Sequence, residues 1–301
     1  MRFTSLLCSF LLAAAPSAAV SDTQSNYTTL QTTKNGDILT VTLNNTITPV
    51  NLYSQIMGFE LDHLVTSLQT DTLTKVVIFR SANPKFFIAH FDVIPRPGDT
   101  LPVSSLDLSP LMGQIIFNIT ELPQTTIGII EGPTRGIGNE FTMSLDMRFA
   151  TSEAVFGNFE VTVGLHPGAG GVVYMSELIG RGRALEYLLS GNDIDAESAE
   201  NFGLVNRLFD SSAQLNTFVS QLSKRIALFP LDALASIKGS VNAVTRAPRE
   251  QFLAEAEAWN KLLAKPTTQE SVAKFVNLTK NETDIAVELN LAEEVLQLYE
   301  D

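Results

Sequence analysis

Two glutamates on neighbouring segments of the chain have the residue type and the surroundings that acid–base chemistry requires. Glu140 belongs to the loop GPTRGIGNEF at 132–141, and twenty residues later Glu160 stands in VFGNFEVTV beside Phe159 and Val161. Burial among apolar side chains raises the pKa of a carboxyl group, which suits it to exchange protons near neutral pH. The alternative interpretation makes Glu140 a favourable charge in a first helical turn and Glu160 a surface acid on a turn.

Two loops can present backbone N–H groups to a developing negative charge. The loop at 132–141 leads from a buried strand into a helix, and the first N–H groups of a helix have no partner within it. The stretch KFFIAHFDV at 85–93 ends another strand, where the small Ala89 lets a ligand approach the main chain. Two such N–H groups that converge on one oxygen form an oxyanion hole. His90 fits either a packed strand end or a polar group in a pocket.

Alternating strand and helix patterns predict the elements that position these residues. Short apolar or β-branched runs predict strands at 38–43, 75–81 and 125–132. Apolar residues at helical spacing predict helices within 51–69 and 108–119. The fold class is therefore α/β, followed by a helical C-terminal part.

Other segments carry weaker patterns. Residues 22–34 are polar and are expected to be poorly ordered. Asn139 is a suitable N-cap for a helix that runs through NEFTMSLDMRFAT. Residues 154–164 read as two short extended pieces around a turn, and the glycines of 168–171 predict a turn with close packing. The pattern after Ser176 is mainly helical.

Composition excludes several classes of function. The chain of 301 residues carries a net charge of −13, which argues against non-specific binding of nucleic acid. It has no G-x-x-x-x-G-K-[ST] phosphate loop, no dinucleotide-binding glycine motif and no G-x-S-x-G nucleophile turn. Its three histidines are scattered without ligand spacing, so no metal site is expected.

The N-terminus has the layout of a secretory signal peptide. Arg2 precedes the apolar run at 6–15, and small residues lead to a cleavage position after Ala19. The run is too short to span a bilayer, so no membrane span is predicted. A mitochondrial presequence, the alternative, would contain more arginine. The prediction is a protein of the secretory pathway, in agreement with five N-glycosylation sequons at Asn26, Asn44, Asn118, Asn277 and Asn281.

Four stretches of the chain, in their order, resemble the crotonase (enoyl-CoA hydratase/isomerase) superfamily. The resemblance runs from Ile38 to Leu278. It implies a spiral of ββα units followed by a C-terminal helical region that mediates trimers, so the expected assembly is a homotrimer or hexamer. The stretches that carry it are TPVNLYSQIMGFEL at 48–61, FFIAHFDV at 86–93, IIEGPTRGIGNEFTMSLDMRFAT at 129–151 and the block at 155–209 that ends in GLVNRLF.

The resemblance also implies roles for single residues. The backbone N–H groups of Ala89 and Ile137 would form the oxyanion hole for a thioester carbonyl. Glu140 and Glu160 match the two acids that activate water and deliver a proton to the α-carbon, and the presence of both favours a hydratase over an isomerase. No separate cofactor is expected, because coenzyme A is part of the acyl-CoA substrate. Further substrate-binding residues would be His90, Asp92, Gly136 and Gly138.

Departures from the family pattern leave alternatives open. His90 stands where the family has glycine, and there it either blocks the pocket or adds a polar group to it. Ile137 and Asn139 replace a glycine and a cysteine. The alternatives are a secreted lyase or isomerase for a carbonyl compound without coenzyme A, and a non-catalytic secreted glycoprotein on the same scaffold. The predicted division is a signal peptide at 1–19, a spiral core at 20–231 and a helical region at 232–301.

Overall fold

The computed structural model describes residues 27–94, 96–100, 108–280 and 285–300. The predicted signal peptide and the sequons at Asn26 and Asn281 lie outside these ranges. Within them, no helix combines the length and the apolar character that crossing a membrane would require.

Nine strands form two sheets within the described ranges. Six of them make the main sheet, in the order β1-β2-β3-β4-β6-β9, and β5, β7 and β8 make a small second sheet. In the main sheet β1 and β2 are antiparallel, and every later pair is parallel. The strands are β1 (Leu30–Asn35), β2 (Ile38–Leu43), β3 (Val76–Ser81), β4 (Thr125–Ile130), β5 (Thr134–Arg135), β6 (Met147–Thr151), β7 (Val155–Gly157), β8 (Ile194–Asp195) and β9 (Arg207–Phe209).

Helices cover the sheets and make up the C-terminal part. They are α1 (Gln55–Gln69), α2 (Leu108–Thr120), α3 (Ile137–Ser144), α4 (Gly171–Ser190), α5 (Ala196–Phe202), α6 (Ser212–Ala227), α7 (Leu231–Thr245), α8 (Arg249–Leu263), α9 (Pro266–Thr279), α10 (Ala286–Leu289) and α11 (Leu291–Glu294). Short 3₁₀ helices occupy Glu160–Val163 and Val295–Tyr299. The α/β class is confirmed, as are the predicted strand at 38–43 and the helices within 51–69 and 108–119.

Three local predictions are wrong. The segment expected to be poorly ordered contains β1, because Leu30 is buried and pairing with β2 satisfies the backbone of an otherwise polar strand. The helix expected from Asn139 begins at Ile137 after Gly136, whose φ of 52° favours glycine, and residues 147–151 form β6 instead of continuing the helix. The second extended piece of 154–164 is a 3₁₀ helix.

Helix α8 packs back on the core beside the predicted site. The Phe252 ring lies 5.2 Å from that of Phe117 on α2 and 4.9 Å from that of Tyr174 on α4. Ala256 and Leu263 on the same face are also buried, so this face of α8 packs on the core. The division at residue 231 stays a prediction, although α7 begins there.

Candidate active site

Glu140 and Glu160 face one cavity between the core and the C-terminal helices. The cavity has a volume of about 100 Å³ and also borders Gly136 and Ile137 at the N-terminus of α3. Its remaining wall is mostly apolar, so the two carboxyl groups are its principal ionisable groups besides His90. Apolar lining residues come from five different segments and include Met112, Phe159, Leu165, Trp259, Val272 and Phe275.

Glu140 lies in the first turn of α3 and is held by the glycine turn before α4. Its Oε1 accepts hydrogen bonds from the N–H groups of Ala169 at 2.8 Å and Gly171 at 2.9 Å. Burial raises the pKa of Glu140 to about 7, while these two donors act in the opposite direction. The turn predicted from the glycines is present: a Cβ on Gly171 would lie 2.9 Å from the Glu140 Oε1.

Glu160 begins the 3₁₀ helix and has a much poorer set of donors. Its Oε1 accepts only a long hydrogen bond of 3.4 Å from the Asn158 side chain, and its Oε2 is buried without a partner in the described part of the chain. Burial, followed by the nearby charge of Glu140, raises the pKa of Glu160 to about 8. Asn158 accepts in turn from the Asn139 amide at 2.9 Å. Asn139 therefore holds the residue that contacts Glu160.

The two carboxyl groups are suited to opposite tasks. Two N–H donors stabilise the charged form of Glu140, whereas the unpartnered oxygen of Glu160 favours its neutral form. Because each charge raises the energy of the other, the pair titrates as a unit. Near neutral pH the arrangement offers a carboxylate that can accept a proton and a carboxylic acid that can donate one.

The two loops with the predicted oxyanion N–H groups lie side by side. The Arg135 N–H donates to the Ile88 carbonyl at 3.3 Å, and a Cβ on Gly138 would approach that same oxygen to 2.5 Å. Neither the Ala89 nor the Ile137 N–H donates a backbone hydrogen bond within the described ranges outside the regular helices and strands. Ile137 borders the cavity, whereas Ala89 is fully buried and is not among the described residues that line it, so their role as an oxyanion hole stays a prediction.

The remaining predicted site residues divide into two groups. Gly136 and His90 border the cavity. Asp92 and Gly138 support the loops: the Asp92 carboxylate accepts from the Ile94 N–H at 3.1 Å and from the Arg96 Nε at 2.8 Å. Outside glycine, only Asn51 has a positive φ among the described residues, so a histidine at 90 strains no backbone.

Sequence reasoning missed two buried glutamates beside the site. Glu255 on α8 accepts from the Val173 N–H at 2.7 Å, and burial raises its pKa to about 8. Its position on the apolar face of α8 was the signal that could have identified it. Glu288 on α10 contacts the His90 Nε2 at 3.1 Å, and nothing in its local sequence indicates that partner. Within the described residues, no cluster of three or more His, Cys, Asp or Glu side chains could hold a metal ion.

Comparisons with known proteins point to one family. Residues 33–283 match the profile described as enoyl-CoA hydratase/isomerase. The chain is 28% identical over 250 residues to the short-chain-enoyl-CoA hydratase of Clostridium acetobutylicum. The matched region covers 83% of this chain and 95% of that protein. It is 27% identical over 227 residues to the ethylmalonyl-CoA decarboxylase of Danio rerio, and this match covers 75% of this chain and 74% of that protein.

A solved structure resembles the whole described fold. The crystal structure of a candidate enoyl-CoA hydratase from Streptomyces avermitilis has a TM-score of 0.79 at 33% identity and covers 89% of this chain and 96% of that one. Its similarity confirms the predicted spiral fold with a C-terminal helical region. The names of the sequence relatives include both a hydratase and a decarboxylase, so the reaction must be argued from the residues of this chain.

Proposed function

Because the chain belongs to the enoyl-CoA hydratase/isomerase family, we propose that it adds water across the double bond of an enoyl-CoA thioester. The observation that carries this proposal is the pair Glu140 and Glu160, two buried carboxyl groups with unlike hydrogen-bond donors that border one apolar cavity. An isomerase of this family can work with one acid, whereas hydration needs one group to activate water and another to protonate carbon. The arrangement of both acids supports the hydratase.

In the proposed reaction the Glu140 carboxylate takes a proton from a water molecule, and the oxygen of that water forms a bond to the β-carbon. The electrons of the double bond move to the thioester oxygen and form an enolate, which the N–H groups of Ala89 and Ile137 stabilise. Glu160 then delivers its proton to the α-carbon, and the enolate collapses to the 3-hydroxyacyl thioester. The proton taken up by Glu140 must return to Glu160 or to solvent before the next turnover.

The first experiment follows the loss of the conjugated double bond of crotonyl-CoA with the purified protein. Replacing Glu140 or Glu160 by Gln keeps the size of the side chain and removes its proton transfer, which should lower kcat by about a hundredfold or more. Glu60→Gln is the matched control, because Glu60 lies on α1 and accepts hydrogen bonds from the N–H groups of Thr28 and Thr29. Its kcat should equal that of the unchanged protein.

Two results would contradict the proposal. One is that the purified protein turns over no enoyl-CoA but acts on a free α,β-unsaturated carbonyl compound, which would favour an enzyme independent of coenzyme A. The other is that both glutamine variants keep the full rate, which would remove the two carboxyl groups from the chemistry.

The compartment is a separate part of the proposal and rests on the residues of 1–19. We propose that the chain enters the secretory pathway, where its acyl-thioester substrate must then be supplied. Fractionation of expressing cells, with glycosidase treatment of the protein, tests this. A protein found only in the cytosol without glycan would overturn the proposed location and leave the proposed reaction in place.

A further inference from the structure

The C-terminal segment makes buried polar contacts with both loops that carry the proposed oxyanion N–H groups. One contact comes from Arg135, which directly precedes Gly136 and Ile137. Its Nη1 donates to the Glu288 carbonyl at 2.9 Å, and its Nη2 donates to the Leu289 carbonyl at 3.2 Å. The Arg135 side chain is 1% exposed, so these bonds lie in the interior, where a lost partner is costly.

A carboxylate fixes the direction of the Arg135 side chain. Asp193 accepts two bonds from the guanidinium group, from Nε at 2.8 Å and from Nη2 at 2.7 Å. A forked pair of this kind holds the guanidinium plane in one orientation. Arg135 therefore presents its remaining donors to the C-terminal segment as a rigid group.

The second contact joins Glu288 to the loop that carries Ala89. The His90 Nε2 lies 3.1 Å from the Glu288 Oε1, and the His90 Nδ1 lies 2.7 Å from the Phe91 carbonyl. A carbonyl and a carboxylate only accept hydrogen bonds, so both ring nitrogens must carry hydrogen in this arrangement. Burial lowers the pKa of His90, but the charge of Glu288 and the hydrogen bonds outweigh it and raise the pKa overall.

Apolar contacts place the same segment against the core of the Ala89 loop. Ile285 and Leu289 pack on a buried cluster that contains Ala89 itself. The His90 ring also meets Phe275 on α9 edge-on, with ring centroids 5.3 Å apart. The other members of the cluster are Val50, Leu52 and Phe86.

We propose that Glu288 is a positioning residue that holds the two oxyanion loops at a fixed separation, through its side chain to His90 and its carbonyl to Arg135. The inference rests on the proposed function, since it concerns the N–H groups of Ala89 and Ile137. The Glu288 Oε2 is buried without a partner in the described part of the chain, which is an energetic cost. A residue retained only for packing would avoid that cost.

The test compares three variants by activity and by backbone hydrogen exchange. Glu288→Ala removes the link to His90 and should lower kcat on crotonyl-CoA by about tenfold to a hundredfold, with KM changed little, because misplaced donors stabilise the enolate less. Glu288→Gln can still hydrogen-bond a neutral His90 and should recover most of that loss. Glu293→Ala is the matched control, since Glu293 is exposed on the neighbouring α11.

Hydrogen exchange tests the positioning without relying on turnover. In Glu288→Ala, amides of 86–92 and 134–138 should exchange faster, while those of β3 stay unchanged. Unaltered exchange in both loops overturns the inference whatever the activity. Full kcat in Glu288→Ala, with a lowered melting temperature only, overturns it as well and leaves a structural role. If the unchanged protein turns over no enoyl-CoA, the proposed function fails, and the exchange result still decides whether Glu288 holds the loops.

Discussion

At the scale of single residues, Glu140 and Glu160 have the same side chain but receive different hydrogen-bond donors. Glu140 receives two backbone N–H groups from the turn before α4, and Glu160 receives one long bond from Asn158. Glu140 is buried, and Glu160 is half-buried with its Oε2 out of solvent, so the donors help to decide which of them gives up its proton first. The nearby charge of Glu140 adds to this difference by raising the pKa of Glu160 further, and a change of pH should reveal it directly.

We predict a bell-shaped dependence of kcat/KM on pH. Activity should rise as Glu140 loses its proton near pH 7 and fall as Glu160 loses its proton near pH 8, because hydration needs the first ionised and the second neutral. Initial rates with crotonyl-CoA between about pH 5 and about pH 10 measure it. The Glu60→Gln control should keep both limbs. A rate that is flat with pH would contradict the assignment of acid and base.

Weakening the donors of one carboxyl group should move one limb of this profile. Asn158→Ala removes the side-chain donor that the described residues supply to Glu160, so the charged form of Glu160 loses stabilisation, its pKa rises and the high-pH limb should move to higher pH. The low-pH limb, set by Glu140, should move much less. The reverse pattern would mean that the two glutamates have exchanged roles.

At the scale of elements, the spacing of apolar residues predicted the strands and helices whose pattern lies within one segment of the chain. The β2 strand and the helices α1 and α2 follow from apolar spacing, because each buries one stripe against the core. The start of α3 does not, because Gly136 adopts a positive φ that the residue pattern alone does not reveal. Glu160 in a short 3₁₀ helix was predicted as a buried acid from its apolar neighbours, although the element itself was predicted as extended.

Contacts between distant segments were beyond the reach of periodicity. Glu140 and Glu160 were singled out by residue type and apolar neighbours and were given their roles by the family resemblance, while Glu288 meets His90 across 198 positions of the chain. Such a contact is set by how α9 and α10 fold back over the cavity, and local sequence carries no signal for that path. The resemblance therefore pointed to Glu140, Glu160 and the two loops, and it did not point to Glu288.

The packing of α3 on the strand-end loop gives a prediction at this scale. An alanine at Gly138 would place its Cβ 2.5 Å from the Ile88 carbonyl and 2.8 Å from the Thr134 Oγ1, so the two loops must separate. We expect Gly138→Ala to lower the free energy of unfolding by about 1–3 kcal/mol and to reduce kcat more than KM. Chemical denaturation and initial rates measure both.

The control for this substitution is Gly182→Ala in α4. Nothing lies within 4 Å of a Cβ at Gly182, and alanine is the better helix former, so this variant should be as stable as the unchanged protein or slightly more so. If Gly138→Ala behaves like Gly182→Ala, the two loops are not in close contact.

At the scale of the whole molecule, α7 is a helix with a largely exposed apolar face, although its Lys238 pairs with Asp146 just before β6. None of its residues is buried in the single chain, although its sequence is as apolar as that of α1. Ile237, Val241 and Val244 follow one another at helical spacing and are 65%, 52% and 84% exposed. A continuous apolar stripe on a helix needs a covering surface, which a second copy of the chain can supply.

We therefore expect the homotrimer, or hexamer built from trimers, that the family resemblance implies, and we place α7 at the contact between copies. Light scattering coupled to size-exclusion chromatography measures the mass. Charges on the stripe, in the double variant Ile237→Glu and Val244→Glu, should yield a folded monomer, since an unpaired carboxylate cannot be buried at low cost. The control is Leu73→Glu, because Leu73 is an exposed leucine on the loop before β3; this variant should leave the assembly intact. A monomeric unchanged protein would mean that α7 is covered by something else.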